Sequence, residues 1–159
     1  MSMIAPCLWF ATEAEEAAAF YVSLIPDSRV DRVTRSPIET PGGGKAGEVL
    51  IVEFTLGGRP FQALNGGDKA PYTHAMSLSV ECADQAEIDR LWDALVEGGA
   101  PIQCGWLNDR YGVPWQIVPK RQLSMMGDPD REKAARAMTA MLGMVKLDIA
   151  ALEDAFEGR

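Results

Sequence analysis

One pattern of segments occurs twice in this chain, and the doubling constrains the fold more than any other feature. The first copy, Ile4 to Val30, reads as an apolar strand, a helix and a second strand that follows Pro26. The other copy begins near Ala75 with a strand, continues with a helix opened by Asp84, and returns to a strand. Further strand-like segments follow each helix. Two β-α-β-β-β units predict a sheet made of two similar halves that curves around a cavity.

The first unit is delimited by periodicity and by turn residues. Side chains alternate from Ile4 to Phe10, which indicates a strand. Thr12 and Glu15 form a capping-box pattern that opens a helix, and Pro26 ends it. Val49 to Leu56 reads as a strand that turns through a glycine pair into the last strand of the unit.

The second unit repeats this order. A strand is predicted over Ala75 to Cys82, with Ser77 and Ser79 on the cavity side and Met76, Leu78 and Val80 against the helix. Asp84 and Glu87 repeat the capping box. The helical stripe that follows consists of Ile88, Leu91, Trp92, Leu95 and Val96. Strands are expected over Ile102 to Leu107 and Val113 to Val118.

The tail is helical in pattern, with Asp128 and Pro129 expected to start one helix and Asp148 to cap another. The boundaries predicted for this α+β chain are 1–67 and 72–120 for the two modules and 121–159 for the helical extension, all within one structural domain. The methionines of the tail are Met125, Met126, Met138, Met141 and Met144. Such side chains usually fill packing gaps, although they also suit a subunit contact.

Composition excludes several classes of partner. The chain has 159 residues and a formal charge of −8, which disfavours binding to nucleic acid. No apolar run reaches the roughly 18 residues that span a bilayer. The segment Met1 to Pro6 lacks the features of a signal peptide, so we expect a cytoplasmic protein that binds no membrane. Cys7, Cys82 and Cys104 are odd in number and widely spaced, which argues against a disulfide framework or a zinc knuckle.

Several segments carry a resemblance to a known family. They are Leu8-Trp9-Phe10, Ala19-Phe20-Tyr21, Val80-Glu81-Cys82, the run from Cys104 to Val118 (CGWLNDRYGVPWQIV), Met126 to Asp130, and Lys146 to Ala150. With these residues the chain resembles the PhnB-like branch, often labelled demethylubiquinone methyltransferase, of the vicinal oxygen chelate superfamily. That superfamily also contains glyoxalases, bleomycin-resistance proteins and dioxygenases. The resemblance implies two βαβββ modules that form a curved mixed sheet, and frequent dimerisation.

The resemblance also implies a metal held by inward-facing side chains from the first and last strands of each half. Gln116 occupies the last-strand position where many members have glutamate, and Gln62 falls at the matching place in the first half. Both are neutral amides, which are weak ligands for transition metals. His74 is the single histidine, but its parity groups it with the helix-facing residues, so we interpret it as a loop-end residue. We therefore expect no metal and no cofactor.

The methyltransferase label lacks support in the sequence. A nucleotide-type cofactor normally lies on a glycine-rich turn between a buried strand and a helix. The glycine run Gly42 to Gly44 lies instead in a flexible loop, Ser36 to Gly47, without those neighbours.

Aromatic, amide and hydroxyl side chains are the candidates for the cavity wall, and they suit a flat, partly apolar small molecule. The predicted ligand-binding residues are Trp9, Gln62, Ser77, Ser79, Trp106, Tyr111, Trp115 and Gln116. Each aromatic could equally be packing in the core. We interpret Asp109 and Arg110 as a turn held by its own hydrogen bonds, and the pattern leaves open which face of its strand Glu53 uses.

Three functions remain open from the sequence. One is a metal-free protein that binds or sequesters a small molecule, which we favour. Another is an enzyme that acts on a small oxygenated substrate, with a reduced metal site or none. A third is a structural or interaction module whose cavity is packed shut. In each case we predict a homodimer, with the methionine-rich tail covering a sheet or reaching the partner, because uncovered sheet edges need protection.

Overall fold

The fold is taken from a computed structural model, which describes residues 4–159. Its chain divides into two compact units, Met1–Pro71 and Tyr72–Arg159. Each unit contains one four-stranded mixed sheet. Within residues 4–159, no helix has both the length and the apolar character needed to cross a bilayer.

The first unit has the β-α-β-β-β order expected from the sequence. Its elements are β1 (Cys7–Phe10), α1 (Ala14–Leu24), β2 (Arg29–Arg35), β3 (Val49–Leu56) and β4 (Arg59–Asn65). The sheet order is β1-β4-β3-β2, with β1 and β4 parallel and the other pairs antiparallel. Gly57 and Gly58 both have positive φ, which allows the two-residue turn between β3 and β4.

The core of the first unit lies between α1 and one face of this sheet. Tyr21 and three alanines of α1, Ala14, Ala17 and Ala18, are fully buried. The strand side chains of this core are Leu8, Phe10, Val52, Phe54, Leu56, Phe61 and Ala63. Because side chains alternate across a sheet, the intervening residues emerge on the opposite face, which we call the polar face of the first sheet.

The second unit repeats the topology of the first. Its elements before the tail are β5 (Leu78–Cys82), α2 (Gln85–Val96), β6 (Ala100–Pro101), β7 (Trp106–Asn108) and β8 (Pro114–Pro119). The sheet order is β5-β8-β7-β6, again with only the first and last strands of the unit parallel. The doubled β-α-β-β-β order predicted from the sequence is thus confirmed, although β6 precedes the strand expected over Ile102 to Leu107 and was not predicted.

The core of the second unit lies between α2 and the apolar face of its sheet. Ile88, Leu91 and Leu95 of α2 are completely buried, as the helical stripe predicted. Trp115 and Ile117 of β8 are buried with them. Gln116 of β8 lies on the opposite side of the sheet, together with Trp106 of β7 and Ser79 of β5, and we call this side the polar face of the second sheet.

Three helices form the tail: α3 (Gln122–Met126), α4 (Arg131–Leu142) and α5 (Ile149–Glu157). Their apolar cluster packs against Val118 and contains Met125, Met141, Leu147 and Phe156. Met126 and Met144 pack against this cluster as well, whereas Met138 is exposed. Most methionines of the tail are therefore packing residues.

Polar contacts of Gln85 and Lys146 fasten the tail to α2. Gln85 donates from Nε2 to the carbonyl oxygen of Leu147 at 3.1 Å and accepts at Oε1 from the N–H of Ile149 at 2.9 Å. Lys146 Nζ lies 2.9 Å from Asp89 Oδ1. The hydrogen bond from Lys146, assisted by Gln85, lowers the pKa of Asp89.

Several boundaries differ from the sequence predictions. β1 begins at Cys7 and β5 at Leu78, so both first strands are shorter than expected, and β7 is reduced to Trp106–Asn108. The sequence did not predict α3. The N-cap of α4 is Asp130, whose Oδ1 accepts from Glu132 and Lys133 N–H groups, and Asp128 instead accepts from the N–H of Asp130.

The two predicted capping boxes have opposite outcomes. In α2, Asp84 Oδ1 accepts from the N–H of Glu87 at 2.9 Å, and Glu87 Oε2 accepts from the N–H of Ala83. The prediction that Thr12 caps α1 is wrong. The N-cap residue is Glu13, and the Glu13 side chain makes no capping hydrogen bond.

Candidate functional site

The polar face of the second sheet places an indole, an amide and a hydroxyl in one cross-strand row. Gln116 of β8 lies opposite Ser79 of β5 on one side and Trp106 of β7 on the other. Gln116 Nε2 donates to Ser77 Oγ at 2.8 Å, which fixes the direction of the amide. Trp106 and Gln116 are both partly exposed, so they are within reach of a ligand.

His74 reaches the same face from the turn that precedes β5. Its Nε2 lies 3.2 Å from Asn108 Oδ1, and its ring meets the Trp106 indole edge-on with centroids 5.9 Å apart. The interpretation of His74 as a loop-end residue is correct. Because the turn breaks the strand parity, however, its side chain does not follow Met76 and Leu78. This contact was missed, since no periodic signal describes a turn.

Trp115 does not belong to this row. Its side chain is completely buried on the face packed by α2, and its Nε1 donates to Asp109 Oδ2 at 2.9 Å. The expectation that Trp115 lines a cavity is therefore corrected: it is adjacent to Gln116 in sequence and for that reason points to the opposite side of the sheet.

Asp109 organises the turn that leads into β8. Its Oδ1 accepts from the N–H groups of Tyr111 and Val113 at 2.9 and 3.0 Å, and only 2% of the residue is exposed. Arg110 points outward and forms a long ion pair with Glu97 at 3.7 Å. These contacts agree with the structural interpretation of the Asp-Arg pair. Tyr111, a predicted site residue, is half-buried in this turn.

The polar face of the first sheet has a corresponding row. Gln62 of β4 pairs with Cys7 of β1 and with Glu53 of β3, and Glu53 pairs in turn with Arg32 of β2. This register settles the open question about Glu53, which lies on the side away from α1. Its Oε2 accepts a hydrogen bond from Arg32 Nε.

A cavity of about 460 Å³ adjoins this row and is lined by Ala5, Asp31, Arg32, Glu53, Phe54, Pro60, Phe61 and Gln62. Trp9 lies on the same face of β1 as Cys7 and is 39% exposed. Its Nε1 donates to the carbonyl oxygen of Asp68 at 2.7 Å, and its ring fills the space that a side chain at Gly66 would need.

The cysteine thiols differ in their surroundings. Burial raises the pKa of Cys82 to about 12, with a smaller contribution from Glu87. Partial burial also raises the pKa of the exposed Cys7. Because the thiolate is the nucleophilic form, a raised pKa disfavours thiol catalysis at either residue.

Comparison with known proteins identifies the family. The family model described as 3-demethylubiquinone-9 3-methyltransferase matches residues 2–118. A PhnB protein from Bacillus cereus with the same label is 35% identical over 74% of this chain and 99% of its own, with a TM-score of 0.66. This chain belongs to the 3-demethylubiquinone-9 3-methyltransferase family. Its tail helices α3 to α5 lie beyond the residues that the family model matches.

Two more distant structures share the fold of this family. A protein from Pseudomonas aeruginosa is 21% identical over 72% of this chain and 95% of its own, with a TM-score of 0.59. Glyoxalase I from Leishmania major is 11% identical over 85% of this chain and 98% of its own, with a TM-score of 0.50. The family thus has the vicinal oxygen chelate fold predicted from the sequence. No curated protein matches the chain.

The donors in this family member do not fit the metal that the glyoxalase fold implies. Gln62 and Gln116 occupy topologically equivalent positions, in the last strand of each unit, and both offer neutral amides. The carboxylate beside Gln62 belongs to Glu53, which is paired with Arg32. Among residues 4–159, no three histidine, cysteine or acidic side chains converge to hold an ion. Divalent transition metals in proteins are held mainly by anionic or imidazole donors, so no step that depends on such a metal follows from these residues.

The methyl donor implied by the family label also lacks a matching site of the nucleotide-binding type. The loop that carries Gly42 to Gly44 connects the antiparallel strands β2 and β3. A glycine-rich turn that binds a nucleotide follows a parallel strand and opens a helix, which places phosphate groups at the helix N-terminus. The label therefore identifies the family, and the glycine-rich loop within residues 4–159 does not form a nucleotide-binding turn.

Proposed function

We propose that the polar face of the second sheet binds a flat, partly apolar small molecule through Trp106 and Gln116, without a metal ion. The observation that carries this proposal is the row Ser79–Gln116–Trp106, in which Ser77 orients the amide and His74 contacts the indole. An aromatic wall beside a few directed polar groups is the usual composition of a small-molecule site.

The chemistry of the row favours an oxygenated ring as the ligand. The indole of Trp106 offers an apolar surface for stacking. Because Gln116 Nε2 donates to Ser77, its Oε1 accepts a hydrogen bond from a ligand hydroxyl, and Ser79 adds a second polar contact. The family label names a demethylubiquinone, whose ring carries oxygen substituents of this kind.

The equivalent face of the first sheet is proposed as a second recognition surface. Gln62 is the equivalent of Gln116, Trp9 adds an indole on the same face from β1, and a cavity of about 460 Å³ adjoins Gln62. Tyr111 is retained as a residue near the second face, whereas the buried Trp115 is not. A location in the cytoplasm stays a prediction from the sequence.

A titration with 2,6-dimethoxyphenol tests this proposal, because that probe carries an oxygenated ring and does not react with the exposed thiol of Cys7. Binding is measured by calorimetry and by the indole signals in nuclear magnetic resonance spectra. Trp106→Ala and Gln116→Ala should each weaken binding by about fivefold or more, since each removes roughly 1 kcal/mol of contact. Leu123→Ala, which truncates an exposed side chain of the tail, should leave binding unchanged.

Three outcomes would reject the proposal. Binding that persists undiminished in both Trp106→Ala and Gln116→Ala would show that the ligand binds elsewhere. Affinity that depends on a stoichiometric divalent metal, lost on chelation, would contradict the metal-free site and favour a glyoxalase-like or dioxygenase-like enzyme. A complete lack of binding by oxygenated aromatic probes would favour a packed structural or interaction module.

We also infer a homodimer, in which exposed apolar side chains of the tail contact a second copy. Met138 and Leu142 are 44% and 55% exposed and lie one helical turn apart on α4. Light scattering at micromolar concentration should give the mass of two chains, and Met138→Lys with Leu142→Lys should shift it to one. A single-chain mass for the unmodified protein would contradict this inference.

A further inference from the structure

A cavity of about 370 Å³ lies at one end of the first sheet, apart from the row that contains Gln62. Its walls come from the residues after β1, from the end of β2, from the β2–β3 loop and from the end of β4. The lining includes Thr12, Arg35, Thr40, Lys45, Glu48 and Asn65. The loop in this wall is the glycine-rich segment that joins the antiparallel strands β2 and β3.

Close backbone contacts hold the loop against the end of β4. A side chain at Gly42 would meet the carbonyl oxygen of Gly66 at 2.0 Å, and one at Gly67 would meet the carbonyl oxygen of Gly42 at 1.9 Å. The hydroxyl of Thr40 accepts from the N–H of Gly44 at 3.1 Å. The cavity wall is therefore packed backbone to backbone, an approach that only glycine permits.

The charges that line this cavity differ in sign from those of the chain as a whole. Arg35 and Lys45 contribute two positive charges and Glu48 one negative charge, a balance of +1 in a chain of net charge −8. Lys45 Nζ forms no ion pair with any carboxylate of residues 4–159. Two cations at a cavity in an acidic protein indicate an anionic ligand group.

The carboxylate of Glu48 has a structural role in this wall. Its Oε2 accepts a hydrogen bond from the backbone N–H of Lys45 at 2.9 Å, which ties the loop to the start of β3. Arg35 Nη1 donates to the carbonyl oxygen of Gly47 at 3.2 Å. A guanidinium carries five N–H donors in all, so Arg35 has other N–H groups with which to contact a ligand. The amides of Gly43 and Gly44 both donate to Thr40, so the contacts to a ligand come from side chains.

We propose that this cavity is an anion site, in which Arg35 and Lys45 bind a carboxylate or phosphate group of a small molecule and Thr12 adds a hydroxyl contact. A guanidinium matches the paired oxygens of either group, and an ammonium adds a point charge. This proposal does not depend on the ligand of the second sheet, because the two sites share no residue.

The test is a titration of the full-length, ¹⁵N-labelled protein with inorganic phosphate and, separately, with succinate. Ionic strength is held constant with sodium chloride so that screening does not change. Shifts should be confined to the amides that line the cavity for at least one of the two probes, and the probe that produces them identifies the anion.

Three variants decide the assignment. Arg35→Met with Lys45→Met should weaken binding by about tenfold or more, the loss expected for hydrogen bonds to charged groups. Arg59→Met with Lys69→Met removes the same charge from exposed positions outside the cavity and should leave binding unchanged. Glu48→Gln keeps an acceptor for Lys45 but removes the negative charge, and it should tighten binding severalfold.

The proposal is rejected if neither probe gives localised shifts, or if both double variants weaken binding equally. It is also rejected if Glu48→Gln weakens binding while its spectrum remains that of the folded protein. If the Arg35 substitution unfolds the loop, Lys45→Met alone decides the matter, because its ammonium takes no part in the loop hydrogen bonds described here. That variant must then weaken binding severalfold.

Discussion

Asn65 Oδ1 accepts a hydrogen bond from the backbone N–H of Ala14 at 2.8 Å, so the last residue of β4 caps the first turn of α1 from 51 positions away. The same side chain donates from Nδ2 to the carbonyl oxygen of Val49 at 3.0 Å. The Asn65 amide therefore joins α1, β3 and β4. It does so at the end of the sheet that also borders the cavity lined by Arg35 and Lys45.

Asn65→Ala should reduce the free energy of unfolding by about 1–2 kcal/mol, the usual cost of a lost helix cap, because the Ala14 N–H loses its acceptor. Urea unfolding followed by circular dichroism measures the change. Thr12→Val is the matched control and should cost less than about 0.5 kcal/mol, since its side chain makes no capping bond. An equal loss in the free energy of unfolding for the two substitutions would contradict this assignment and favour Thr12 as the capping residue.

Asp109→Asn should be among the more destabilising polar substitutions in the second unit. The buried carboxylate accepts from two backbone N–H groups and from the Trp115 indole, and an amide NH₂ would face at least one of these donors. We expect a loss of about 2–4 kcal/mol in urea unfolding. Asp93→Asn, on an exposed side chain of α2, should change stability by less than about 0.5 kcal/mol.

Cys82 should make stability depend on pH in the alkaline range. Burial raises its pKa from 9.0 to about 12 in the folded chain, so the folded state retains a proton that the unfolded state releases. The contribution is fully present below pH 9 and is lost as the pH rises towards 12. In urea unfolding at pH 8 to 11, Cys82→Ala should lose less stability with rising pH than the unmodified protein does.

Cys7→Ala provides the comparison for this pH series, because Cys7 is exposed and its pKa is raised by partial burial only. Its substitution should alter the alkaline slope less than Cys82→Ala does. Iodoacetamide should likewise modify Cys7 well before Cys82 in the folded protein. A reversed order of modification would contradict the burial of Cys82.

Gln85 should control how firmly the tail is attached to the second unit. Gln85→Ala leaves the Leu147 carbonyl and the Ile149 N–H without this partner and should cost about 1–3 kcal/mol. Limited proteolysis should then cleave near residues 143–149 sooner than in the unmodified protein. Gln103→Ala, on an exposed side chain, should change neither measurement.

Much of the fold could be read from local patterns. Asp84 and Glu87 cap α2 as their spacing predicts, since both partners lie within one helical turn. β3 has the predicted bounds because the Gly57-Gly58 turn marks its end in the chain itself. The cap of α1 could not be predicted in this way, because Asn65 and Ala14 meet only after the sheet has formed.

The candidate site was predicted less completely than the fold. Strand alternation correctly groups Gln116 with Trp106 and Ser79, since period-two patterning is local. The sequence failed to separate Trp115 from this group, and it gave no indication that His74 would reach Trp106. It also described the glycine-rich loop only as flexible, although Arg35 and Lys45 line a cavity there.

What the amino-acid sequence determined alone is the paired β-α-β-β-β order, the family and the amides Gln62 and Gln116, because these depend on residue types and on spacings of a few positions. The tertiary structure decided which groups meet across strands: Arg32 with Glu53, Gln116 with Ser77, and Gln85 with the tail. Such contacts depend on register and on the path of loops, which the free energy of the whole packed unit selects and no local pattern records.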